Sequence, residues 1–193
     1  MVTIPDGPLK INGMTWLGIS FIPWTIFWIL NRPGLDTIFT IVLPLLVSIL
    51  IYMYRRKYIN VTWMDRCAVI FFAISVVITL LTSDVITVYG TILSYIALAG
   101  AWLGTLVGNI PLTTDYAKWN YPAPIVNSTL FSTINRILTG FWGILFLIQA
   151  ALSLFVIVIP DYKIAWIIIN YLLLIPAYWF TWWFPNWYPT HFF

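Results

Sequence analysis

The chain has 193 residues, 62% of them hydrophobic and 8% charged, with nine Lys and Arg against six acidic residues for a formal net charge of +3. Soluble domains carry about a quarter charged residues, so this composition excludes an ordinary soluble domain and indicates an integral membrane protein. All six acids are Asp, and four of the nine bases fall between Arg55 and Arg66, one short cluster rather than the broad basic face that nucleic acid requires.

From the N-terminus, Met1 to Gly13 carries Pro5, Asp6, Pro8 and Lys10, which does not read as a cleaved signal. A bilayer core of about 30 Å needs roughly 20 helical residues. The apolar stretches supply six such spans, at about 11–30, 35–54, 63–82, 85–107, 130–159 and 164–183. The first has Pro23 in its middle and stops at Asn31-Arg32-Pro33-Gly34. The second contains Pro44 and ends at Arg55-Arg56-Lys57. From Cys67 to Val107 a single helix would run about 60 Å, twice the core, so the chain must turn back, and Ser83-Asp84 is where it does so. The fourth span carries Gly100-x-x-x-Gly104-x-x-x-Gly108, a small-residue stripe expected to pack within the bundle rather than in a dimer seam. The fifth is about 45 Å long, which leaves roughly its first two turns at the interface. Pro176 lies within the sixth, and the aromatic, proline-punctuated tail 184–193 suits the headgroup level.

The expected fold is therefore all-α, a single transmembrane domain of about six helices. Residues 108–129 form a connection longer than the roughly 12–15 residues at which structureless loops become uncommon. Tyr116, Trp119 and Tyr121 predict an ordered cap packed on the ends of the third and fifth spans, bringing Asp115 or Asp65 near Arg136. Six spans place both termini on one side, together with Lys10, Arg55, Arg56, Lys57, Lys118, Arg66 and Arg136. Arg32 and Lys163 alone lie opposite. By the positive-inside rule the termini and the cap are cytoplasmic in a cell membrane. The sequons at Asn60 and Asn127 then lie on the side where no glycosylation occurs.

Sites of chemistry are scarce. Cys67 and His191 are the single cysteine and histidine. They leave no intrachain disulfide, no haem held by two histidines and no two-histidine zinc site, and no cofactor or metal is expected. No catalytic constellation is visible. The polar cluster Asp65, Asp115, Tyr116, Lys118, Asn135, Arg136 and Thr139 is the candidate functional or structural site. Arg136 shares a helix face with Ser132, Thr139, Gly140 and Gly143. It either coordinates an anion inside the bundle, or snorkels to headgroups or pairs with Asp65 or Asp115. Asp65 and Asp84 suit helix caps better than a proton relay, since nothing ionisable lies between them. Asp115, within Thr113-Thr114-Asp115, could bind a cation or head an interfacial helix, but one carboxylate is too few for a dedicated divalent site.

The run Pro111-Leu112-Thr113-Thr114-Asp115-Tyr116-Ala117-Lys118, with Phe131, Asn135-Arg136, Thr139 and Trp142-Gly143, resembles a signature of a family of uncharacterised prokaryotic multi-pass membrane proteins. Leu112 stands where that pattern has Phe. The resemblance covers about half of the chain and implies a multi-helix membrane fold without an assigned activity. The functions consistent with these residues are a structural or accessory subunit in contact with lipid and other membrane subunits, or a small transporter or channel using Asn135, Arg136 and kinks at Pro44 and Pro176. A headgroup enzyme would need Asp65, Asp115 and Arg136 in one pocket.

Overall fold

The computed structural model describes residues 12–32, 34–82, 85–108 and 110–192. They form an all-α bundle in the order α1 (Gly13–Leu30), α2 (Thr37–Tyr58), α3 (Trp63–Leu81), α4 (Val85–Val107), α5 (Leu112–Ala117), α6 (Ala123–Val126), α7 (Thr129–Val158), α8 (Lys163–Leu172) and α9 (Leu174–Phe192). No strand occurs among the described residues. Among the described residues, six stretches are long and apolar enough to cross a bilayer: α1, α2, α3, α4, α7, and the run Pro160–Phe192 that contains α8 and α9.

The helix starts follow local chemistry. Asn12 accepts from Thr15 N, Asp36 from Ile38 N and Ser128 from Phe131 N, each satisfying a donor that the first helical turn leaves free. Thr62 and Asp65 cap each other reciprocally at α3. The proposed cap at Asp84 lies outside the described residues. At the other end of α2, the helix does not stop at Arg55-Arg56-Lys57 but carries them in its last turn and runs on to Tyr58. Cations are stabilised there by the partial negative charge of the terminal carbonyls.

Two expectations about the last span are corrected. It is not one helix, because the chain breaks at Leu173 and restarts as α9 with Pro176 in its first turn, where the missing N–H costs nothing. Nor does it end near Trp183, since α9 continues to Phe192 through Pro185 and Pro189. Rings four apart stack along it, Trp179 on Trp183 at 5.3 Å, Trp183 on Trp187 at 4.9 Å and Tyr188 on Phe192 at 5.0 Å. Each such pair contributes about 0.5–1.5 kcal/mol, a counterweight to the bonds the prolines remove.

The most extensive helix pair is α4 with α7, followed by α2 with α3 and α1 with α2, while α8 and α9 pack chiefly on α7. The core is aromatic: Trp24, Phe27 and Phe72 form one cluster and Trp102, Trp142 and Phe146 another. Close approach of α4 and α7 depends on Gly143, where an added Cβ would sit 2.5 Å from the Leu103 side chain. The glycine stripe of α4 behaves otherwise. Gly100 and Gly104 are exposed, and an added Cβ would meet nothing within 4 Å at either. The expected packing of that stripe inside the bundle is thus overturned, because α7 lies against another face of α4, made by Tyr95, Trp102, Leu103 and Leu106.

Candidate functional site at the capped end

The connection between α4 and α7 folds back over one end of the bundle as α5, a short 3-10 turn at Lys118–Asn120, and α6. It is stapled to four helices. Leu112 N donates to Thr105 Oγ1 of α4 at 3.0 Å, and Thr113 bonds the Thr139 hydroxyl and the Asn135 carbonyl of α7 at 2.8 and 2.7 Å. Gly13 N, at the start of α1, donates to Asn120 Oδ1 at 2.9 Å. Tyr116 drops its hydroxyl between α1 and α3, 3.0 Å from both Ser20 Oγ and Thr62 Oγ1. Gly13 is required here, since a Cβ at that position would fall against the Tyr116 carbonyl.

Beneath Tyr116 lies a buried ion pair. Arg55 Nη1 is 3.1 Å from Asp65 Oδ2, with the two side chains 3% and 1% exposed. Such a pair is tolerable only if the remaining donors and acceptors are met. Asp65 meets this fully: Oδ1 accepts from Ser20 Oγ at 2.8 Å, and Oδ2 from the Thr62 amide at 3.0 Å and hydroxyl at 2.6 Å. Arg55 donates from Nη2 to the Trp16 carbonyl at 2.8 Å, and its guanidinium lies 4.9 Å from the Trp16 ring and 5.7 Å from the Tyr116 ring. Its Nε has no partner among the described residues.

Proton accounting makes the network directional. Ser20 and Thr62 each spend their one hydroxyl proton on Asp65, so both can only accept from Tyr116. Tyr116 has one proton for two acceptors and shares or alternates between them. Burial, and then the negative charge of Asp65, push the Tyr116 hydroxyl well above the ordinary tyrosine value. It therefore stays a donor at physiological pH. The arrangement ties α1, α2, α3 and the cap together, and among the described residues both Asp65 oxygens and the Ser20, Thr62 and Tyr116 hydroxyls are engaged within it.

The structure separates the residues that the sequence grouped. Asp65 and Tyr116 share the buried network. Asp115 instead pairs with Lys118 at 3.0 Å in a partly exposed bridge. Arg136 approaches neither carboxylate: it is exposed and donates to the carbonyls of Leu106 and Gly108 at 2.9 and 3.4 Å, closing the end of α4. Thr139 and Asn135 are buried where they hold Thr113. A pocket uniting Asp65, Asp115 and Arg136 does not form. No group of three or more His, Cys or acidic side chains that could hold a metal occurs among the described residues.

Arg55 is the residue that sequence reasoning passed over, having been read as part of a stop signal. The Thr62-x-x-Asp65 capping pattern was a usable signal for the α3 end of this site. Nothing in sequence ties Ser20 or Trp16, more than 30 positions upstream, to it. Compared with known proteins, the chain matches no family model, no curated protein and no solved structure.

Proposed function

We propose that this multi-pass membrane protein is a structural or accessory subunit of a membrane complex, held in a cell membrane with its termini and cap in the cytoplasm. The observation that carries the reading is the outward pair Gly100 and Gly104 on α4, one turn apart and open to a neighbouring helix. Small residues let helix backbones approach closely in lipid, where dispersion and weak hydrogen bonds replace the hydrophobic drive. A buried ion pair whose carboxylate is fully hydrogen-bonded under a stapled cap supports the same reading, since it serves rigidity rather than turnover. The orientation rests on the seven-to-two distribution of Lys and Arg between the two sides.

Transport of an ion or anionic solute is the competing reading, and it finds less support. Asn135 and Arg136 are both engaged with backbone carbonyls near the cap. The aromatic cleft between the helices has no carboxylate or base among its described lining residues to replace an ion's hydration shell.

Affinity purification from native membranes in mild detergent tests the proposal. A co-purifying membrane protein that is lost in Gly104→Leu, with the thermal stability of the variant unchanged, supports it. Recovery of the chain alone under several solubilisation conditions overturns it.

A further inference from the structure

A cleft of about 330 Å³ opens between α1 on one side and α7, α8 and α9 on the other, with Tyr95 and Trp102 of α4 forming its inner wall. The α1 residues that border it run from Met14 to Trp28, about 21 Å of helix at 1.5 Å per residue. It is a slot rather than a chamber, too slender for a helix of roughly 10–12 Å diameter. Leu17, Phe21, Trp142, Phe146 and Leu174 make most of its wall apolar, and Gly18 leaves its side of the slot empty, with nothing within 4 Å of an added Cβ.

The polar side chains of the lining are uncharged, and Thr25, Tyr178 and Thr181 are among them. No Asp, Glu, Lys or Arg is among the described lining residues, so a phosphate or carboxylate would lie there unpaired in a dry site. Tyr95, Gln149 and Tyr171 gather toward the Trp28 end, where Trp28 stacks on Tyr95 at 5.0 Å and Gln149 donates to the Asn170 carbonyl. The Tyr95 hydroxyl makes no hydrogen bond among the described residues. A hydroxyl head both donates and accepts, which suits an end lined by the Tyr95 and Tyr171 hydroxyls and the Gln149 amide.

We propose that the cleft binds a single-chain amphiphile with an uncharged hydroxyl head, of the monoacylglycerol or long-chain alcohol class. Its chain lies along α1 past Gly18 and its head sits among Tyr95, Gln149 and Tyr171. The slot, the lack of charge and the position between membrane spans each select for this chemistry, and none depends on the protein being an accessory subunit.

The test is photolabelling of the full chain in lipid nanodiscs with a monoacylglycerol carrying a diazirine in its acyl chain, the labelled peptides being mapped by mass spectrometry. Labelling is expected to concentrate on the α1 and α7 peptides that border the cleft. Monoolein should compete, whereas oleate and the lysophosphatidate of the same chain should not. Gly18→Leu, whose Cβ meets nothing within 4 Å and whose branch would enter the slot, should lower labelling at least fivefold, and Tyr95→Phe should weaken competition about 2- to 10-fold, one net hydrogen bond. Labelling spread over the outer faces of all spans and unchanged in Gly18→Leu would mean bulk lipid only and overturns the proposal. Equal competition by the charged lipids overturns the assigned head group. Should Gly18→Leu fail to fold, the peptide map, the competitor series and Tyr95→Phe still decide.

Discussion

Replacing Arg55 by Met removes one member of a pair whose side chains are 3% and 1% exposed, leaving the Asp65 carboxylate charged, buried and without its countercharge. Loss of one partner of a buried ion pair costs about 3–5 kcal/mol. The substitution also deletes the bond to the Trp16 carbonyl and the guanidinium contacts with the Trp16 and Tyr116 rings, so the upper part of that range applies. For a chain of this size each kcal/mol lowers the unfolding temperature by about 2–4 °C, so a loss of about 4–5 kcal/mol gives a fall of roughly 8–20 °C. The assay is built into the sequence: Cys67 is the single cysteine and is partly buried in α3. A thiol-reactive fluorogenic dye added to the detergent-solubilised protein therefore reports unfolding as the temperature rises. Asp65→Asn alone should also destabilise, while Arg55→Met/Asp65→Asn should fall short of the sum of the two, because the double variant strands no charge. A drop below about 2 °C for Arg55→Met, or strict additivity in the cycle, would refute the argument that these charges are desolvated and mutually dependent.

Three further outcomes follow from the same geometry. The folded state holds Tyr116 protonated above its ordinary value, so its contribution is intact below about pH 10 and is lost as pH climbs beyond; Tyr116→Phe should flatten that alkaline fall relative to wild type in the dye assay, and an unchanged slope would place the hydroxyl in water. Gly13→Ala forces a methyl into the Tyr116 carbonyl, so the cap should lift from α1, with about 1–3 kcal/mol lost and faster proteolysis between residues 108 and 129; no change in either would show that the cap does not dock there. Arg136→Met removes exposed bonds to two carbonyls and should cost only about 0.5–1.5 kcal/mol, so a loss matching that of Arg55→Met in the thermal assay would contradict the roles given to the two arginines.

The sequence by itself determined the class of structure and most of its boundaries. Hydrocarbon-matched lengths are a one-dimensional property, and the bilayer admits helices because every backbone donor and acceptor can be satisfied within them. Thus α3, α4 and α7 begin and end within a residue of where apolar runs and caps place them. The extension of α9 through two prolines was not legible, since it depends on stacked rings outweighing an intrinsic helix breaker. Partner choice among the few charges was illegible for a different reason. Arg55, Arg56 and Lys57 are equivalent as letters, and only the rotation of α2 against α1 and α3 turns Arg55 inward to Asp65 while its neighbours stay exposed. The same holds for α4, where a glycine stripe identical for inner or outer packing faces out because α7 takes the bulkier side. Length and polarity act along the chain and can be read there. Facing is set by how helices rotate to bury one another, and only the tertiary structure decides it.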